Sequence, residues 1–94
     1  MPLFVYRGQD GPNGLELRKT VREQHLAHLK QLVDAGRIRF AGPLIDASDA
    51  PCGSLVIFEA ADLESARRVA ESDPYLTQGV FESVYVQGTK AVLP

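Results

Sequence analysis

Two histidines, His25 and His28, are the side chains of this sequence whose charge changes near neutral pH. His25 keeps company suited to chemistry. Arg18 and Arg22 precede it in a stretch free of Gly and Pro, and Asp73 stands far along the chain, before Pro74 and Tyr75. A carboxylate beside an imidazole fixes its tautomer and raises its basicity, which is what a general base requires. An arginine at such a site can hold an anion by paired hydrogen bonds. Ser54 offers a hydroxyl donor; nothing besides His25 would activate it as a nucleophile. The candidate catalytic pair is therefore His25 and Asp73, and the candidate ligand-binding residues are Arg22, Ser54 and Tyr75. Each has a plainer reading. His25 suits a buried structural histidine, Asp73 a cap of the turn before Pro74, Arg22 a side chain with its stem on the core and its head in water, and Tyr75 simple packing.

The elements that must position these residues can be read along the chain. Leu3–Tyr6 is rich in β-branched and aromatic residues and predicts a strand, and Gly8–Gly14 is dense in turn residues and predicts a loop. Leu15 to Ala35 predicts a helix stopped by Gly36. Ile38–Leu44 predicts a second strand, residues 46–53 a loop, and Leu55–Phe58 a third strand. Asp62 is a suitable N-cap for a helix that runs to Ser72 and ends before Pro74. Val80–Val86 predicts the last strand, after Gly79. The order β-α-β-β-α-β is the ferredoxin-like α+β arrangement, a four-stranded antiparallel sheet with both helices on one face.

Helical periodicity then places the polar residues. With Leu29 at zero, Leu15, Leu26, Leu32 and Val33 fall within about 60° on either side, as a core-facing stripe should. Arg18, Arg22 and His25 fall inside the same stripe, and His28 lies about 100° away, at its edge. In the second helix the stripe is Leu63, Ala66, Val69 and Ala70, and continuing the rotation puts Asp73 about 20° from Ala66. An inward carboxylate there meets the negative end of the helix dipole and calls for a cation nearby. The topology brings the start of the first helix, the end of the second and the loop between the middle strands to one end of the domain, where His25 and Asp73 can meet.

Composition sets the outer limits. Ninety-four residues, 45% hydrophobic and 23% charged, make one compact domain and are too few for two. The net charge of −2 gives no footprint of a nucleic-acid partner, although residues 1–40 carry +3 and residues 41–94 carry −5. No phosphate loop, dinucleotide fingerprint or aromatic-basic interleaving is present. One cysteine, Cys52, excludes an internal disulfide. The opening MPLFVYRGQD has no basic leader and only a short apolar run, so no signal peptide, no membrane association and a cytoplasmic setting are expected. His25, His28 and Asp73 fall short of the three or four protein ligands of a zinc site, with no Glu/Cys cluster beside them, so no metal or other cofactor is expected. The strand Leu55–Phe58 has no polar face, which suggests that the second face of the sheet is covered by another copy of the chain.

Arg22–Leu44 (REQHLAHLKQLVDAGRIRFAGPL), then Gly53-Ser54, then Asp73-Pro74-Tyr75, together resemble the YciI-like family, also called the YCII-related domain. The most specific elements are the R-x-x-H of Arg22 and His25, the Ala41-Gly42-Pro43 turn and the D-P-Y. The resemblance implies a homodimeric ferredoxin-like fold of the α/β-barrel type, with an active site around a His–Asp pair that falls on His25 and Asp73. It also implies relatives linked to dehydrochlorination of hydroxylated aromatics. The residues before Arg22 match no motif, so Arg18 is assigned no role, and neither is His28. The resulting expectation is a lyase or isomerase that acts without a cofactor on a small anionic or hydroxylated ring compound. The alternative is a binding or accessory module that holds the same kind of ligand without turnover.

Overall fold

A computed structural model describes residues 1–94. The elements are β1 (Leu3–Asp10), α1 (Gly14–Asp34), β2 (Ile38–Ile45), β3 (Pro51–Glu59), α2 (Leu63–Glu71), α3 (Pro74–Thr77) and β4 (Phe81–Thr89). The strands form one antiparallel sheet in the order β2-β3-β1-β4. Leu29 and Leu32 of α1 and Ala66 and Ala70 of α2 share a core with Phe4, Tyr6, Val56 and Phe58, so both helices cover the same face. This is the expected ferredoxin-like α+β fold.

β2 ends one residue later than expected and β4 runs on to Thr89; three further differences bear on the site. β1 continues through Gly8 to Asp10 rather than ending at Tyr6, because Gly8 and Gln9 pair with both Ser54–Gly53 and Val84–Ser83. Neighbours on both sides outweigh the weak strand preference of glycine. The inner face of β1 is thereby Phe4, Tyr6, Gly8 and Asp10. A Cβ at Gly8 would overlap the ring of Phe81, so the glycine makes room for an aromatic that supports the site. β3 likewise starts at Pro51, leaving residues 46–50 as the hairpin loop, which Asp46 closes by accepting from Ser48 and Ala50. The third difference is at Asp73. α2 ends at Glu71, and Asp73 opens a separate short helix, α3. It therefore sits at a helix N-terminus, where the dipole favours a carboxylate, rather than at a C-terminus.

Helix ends follow their local chemistry. Asp62 caps α2 by accepting from the Ser65 N–H at 2.8 Å. After α1, Gly36 takes φ +68°, and the Arg37 N–H returns to the Leu32 carbonyl, closing the helix end. In β2 a bulge at Arg39 changes the register. Ile38 pairs with Phe58 and faces the core, while Phe40 pairs with Ile57 and faces out.

The buried stripe of α1 is shifted from the expected one. Gly14, Arg18, Val21, His25, Leu29 and Leu32 are buried, whereas Leu15, Leu26 and Val33 are exposed. The helix is turned by about 40° from the apolar optimum, so that His25 sits at the centre of its inner face.

Candidate active site

α1 points Arg18 and His25, two turns apart, into the space beneath it. His25 Nδ1 lies 2.8 Å from Asp73 Oδ1 and 2.9 Å from Oδ2. Asp73 is wholly buried and His25 is 7% exposed. Two further donors hold the carboxylate. The Tyr6 hydroxyl donates to Oδ2 at 2.6 Å, and the Tyr75 backbone N–H donates to Oδ1 at 2.9 Å. The tyrosine ring of Tyr75 stacks on the imidazole, with centroids 3.8 Å apart and planes 3° from parallel, and stands edge-on to Phe81.

The protonation states follow. Burial raises the Asp73 carboxyl, but the bonds from His25 and Tyr6, the charge of His25 and the Tyr75 N–H outweigh it, leaving the group below the usual carboxylate range. An ionised carboxylate only accepts, so Nδ1 of His25 must carry a proton. Nε2 is then the basic atom. It makes no hydrogen bond within the chain, yet no buried polar side-chain atom lacks a partner. Nε2 therefore opens on the cavity that His25 lines. For Tyr6, burial first, then the charge and hydrogen bond of Asp73, push the phenol far above its ordinary value, so it stays a donor.

A second cluster lies beside the first. Arg18 donates from Nε and Nη2 to both oxygens of Asp10 at 2.7 and 2.9 Å, and from Nη2 to the Gly53 carbonyl at 2.8 Å and to Ser54 Oγ at 3.1 Å. Its guanidinium lies 4.8 Å from the centre of the Tyr75 ring. Burial alone would lower the Arg18 pKa; the bond and charge of Asp10 reverse that and keep it cationic. Nη1 takes part in none of these bonds to Asp10, Gly53 and Ser54.

Between α1 and the β2–β3 half of the sheet is a cavity of about 290 Å³. Its polar groups are Arg18, Arg22, His25, Ser54 and Tyr75, and its walls are Leu26 and Leu29 of α1, Ala41–Pro43 of β2, and Pro51 and Val56 of β3. The volume sits just below the roughly 300–1,000 Å³ typical of drug-sized ligand sites, and the lining of apolar walls with a few convergent polar groups suits one small ring.

Of the sequence-derived candidates, His25, Asp73 and Tyr75 come together in one bonded unit. Asp73 pairs with His25 and also caps α3. Arg22 lines the cavity from an exposed position and makes no ion pair. Ser54 reaches the cavity, but its oxygen accepts from Arg18. His28 lies off the cavity, tied to the Val69 carbonyl at 2.8 Å, and fastens α1 to α2. No group of three or more His, Cys, Asp or Glu is placed to hold a metal. Sequence reasoning missed Tyr6, Asp10 and the part played by Arg18. The signal for Arg18 was its place on the His25 face of α1, seven residues earlier.

The linkage of Asp73 to stability has a definite sign. Its folded pKa is below its unfolded one, so the stabilisation is present above the ordinary carboxylate pKa of about 4 and is lost as pH falls through the depressed value. The melting temperature should fall below about pH 4 more steeply in the wild type than in Asp73→Asn. Parallel acid limbs in the two proteins would contradict it.

The model of the YCII-related domain matches residues 2–90. The chain belongs to the YCII-related domain family. Protein YciI of Escherichia coli O6:H1 is 43% identical over 96 residues, covering 96% of this chain and 98% of that protein. A Haemophilus influenzae relative is 43% identical over 95 residues, covering 95% and 97%. Among solved structures, this YCII-related chain is similar to the 5-chloro-2-hydroxyhydroquinone dehydrochlorinase TftG of Burkholderia phenoliruptrix AC1100, in complex with 2,5-dihydroxybenzoquinone. The TM-score is 0.83 at 29% identity, over 94% of this chain and 93% of that one. An antibiotic biosynthesis monooxygenase matches with TM-score 0.57 at 13% identity, over 99% of this chain and 100% of that one, a likeness of fold alone. No helix is long and apolar enough to cross a membrane.

Proposed function

We propose that this YCII-related chain is a dehydrochlorinase-like lyase or isomerase of small hydroxylated ring compounds, working through its own side chains. The observation that carries the reading is His25, with Nδ1 tied to the buried Asp73 and Nε2 open on a cavity the size of one ring. Nε2 takes a proton from a ring hydroxyl or ring C–H, and the electron pair left behind moves into the ring. In an isomerisation His25 returns the proton to a ring carbon, leaving a ring carbonyl. In a dehydrochlorination that carbon is the one bearing chlorine, and loss of a proton from a second, conjugated ring hydroxyl then drives out chloride, so that HCl leaves and a quinone forms. Asp73 holds the imidazole in the productive tautomer and stabilises the imidazolium. Arg22, and Nη1 of Arg18, bind the oxygen that gains negative charge. Tyr75 fixes the plane of the imidazole. The resemblance to TftG supports the substrate class.

Incubation with chlorinated and chlorine-free hydroxylated single-ring compounds, followed by chloride and product analysis, tests this. The wild type should convert at least one of them, and His25→Ala should stay folded, bind it and leave it unchanged. Full turnover by His25→Ala would end the proposal. Thermal stabilisation by the compounds with no product in any case would favour the binding module instead.

We also propose that the outer face of the sheet pairs with a second copy. Val5, Leu55 and Ile57 are half-buried there, and Phe40 and Tyr85 are 51% and 59% exposed. An interface of standard size buries about 800 Å² per partner. Light scattering at micromolar concentration should give twice the 10.3 kDa chain mass; a monomer mass would refute the pairing.

A further inference from the structure

We infer that Tyr6 is a positioning residue that sets the basicity of His25 by competing with it for Asp73. The functional meaning of this rests on the proposal that Nε2 of His25 exchanges protons with a ligand.

Tyr6 has no exposure and sits on the central strand β1, paired with Val56 and Val86 and edge-on to Phe58 at 5.8 Å. Packing at such a position asks only for an aromatic ring. A hydroxyl there must find a partner or cost stability, and the one it finds is Asp73 Oδ2 at 2.6 Å. The carboxylate is thus divided. Oδ2 serves Tyr6 and His25, and Oδ1 serves the Tyr75 N–H and His25. Charge drawn toward the phenol is charge not available to hold an imidazolium. Tyr6 therefore weakens the hold of Asp73 on a protonated His25.

The other ionisable groups packed around the pair do not touch the carboxylate oxygens by their side chains. From α1 come Arg18, neutralised by Asp10 of β1, and the exposed Arg22. From α3 comes the Tyr75 ring, and α2 contributes no charged group to Asp73. Tyr6 is the one side chain besides His25 that acts on the carboxylate directly.

The test is an NMR titration of the labelled imidazoles in the full chain, with His28, which bonds the Val69 carbonyl and not Asp73 or Tyr6, as the internal control. Tyr6→Phe should raise the His25 midpoint by at least about half a pH unit, a roughly threefold change in its protonation constant. Site-specific 3-fluorotyrosine at position 6 keeps the shape and makes the phenol a stronger donor, so it should move the midpoint down. Opposite shifts at His25 with His28 unmoved support the inference. An unmoved His25, or the same direction in both proteins, makes Tyr6 a core filler and overturns it. If Tyr6→Phe does not fold, the fluorotyrosine protein decides alone: a downward shift supports, no shift overturns. No substrate enters these measurements, so opposite shifts without turnover of any ring compound would retain this inference while removing the enzymatic reading.

Discussion

Asp73→Asn should lower turnover by about 10²–10⁴-fold while leaving a folded protein. The reason is a count of donors. Three groups give hydrogen bonds to Asp73: the Tyr6 hydroxyl, His25 Nδ1 and the Tyr75 N–H. An ionised carboxylate can take them all. An asparagine offers one accepting oxygen and one NH₂, so at least one of the three must face a donor. The backbone N–H of Tyr75 cannot turn away, and the imidazole can exchange tautomers. Nδ1 then accepts from the amide, the proton sits on Nε2, and the atom facing the cavity is no longer a base. Steady-state kinetics on the converted compound, beside circular dichroism to verify folding, would measure this. Activity within a few-fold of wild type would remove Asp73 from the mechanism. The stability loss should be about 1–3 kcal/mol, that of a poorly satisfied buried group.

Arg18→Met should be the more damaging change for the fold. Its side chain and that of Asp10 are 11% and 7% exposed, and their bond is bidentate. Methionine fills much of the arginine stem's space, but it leaves the Asp10 carboxylate buried without a cation and removes the donors to the Gly53 carbonyl and Ser54. Breaking a buried pair from one side costs about 3–5 kcal/mol, against a total of about 5–15 kcal/mol for a domain. Urea unfolding should show that loss. The double variant Arg18→Met/Asp10→Leu should recover most of it, because no lone charge is left, while ligand binding stays weak. A single-variant loss below about 1 kcal/mol would mean that water reaches Asp10 and that the clamp is a surface feature.

How far the site could be read from the sequence depended on the kind of regularity that placed each residue. A helix repeats every 3.6 residues, so polar residues inside an apolar stripe stand out; that is how His25, Arg18 and Arg22 were found on α1 and Asp73 beyond α2. The same counting put the centre of the α1 stripe too near Leu15, Leu26 and Val33. It weighs hydrophobic residues as buried, whereas here Arg18 and His25 hold the inner positions and those three are exposed. Asp10 was hidden because Gly8–Gly14 is composed like a loop, and only pairing with two neighbouring strands makes Gly8–Asp10 a strand. Tyr6 was visible as a strand residue, but nothing local says that its hydroxyl meets a carboxylate 67 positions away. Ile38 and Phe40, two apart, would share a face in a regular strand, and the bulge at Arg39 that separates them leaves no mark in composition. The order of the elements was legible because each turn is set by short-range signals, of which Gly36 and Gly79, both at positive φ, are the clearest.

Helix α3 is only four residues long, yet it carries both constraints on the imidazole: the peptide group of Tyr75 steadies the carboxylate and the ring of Tyr75 lies flat against His25. Local opening is cheap only where few apolar contacts are buried, and here Asp73 and Tyr75 are buried, Tyr75 against Val21, Val80 and Phe81. Opening this turn would release the carboxylate and the stacked ring in one event, so under the proposed mechanism activity would be lost at once and not by degrees. Loss of activity on heating would then accompany the collapse of the core rather than precede it.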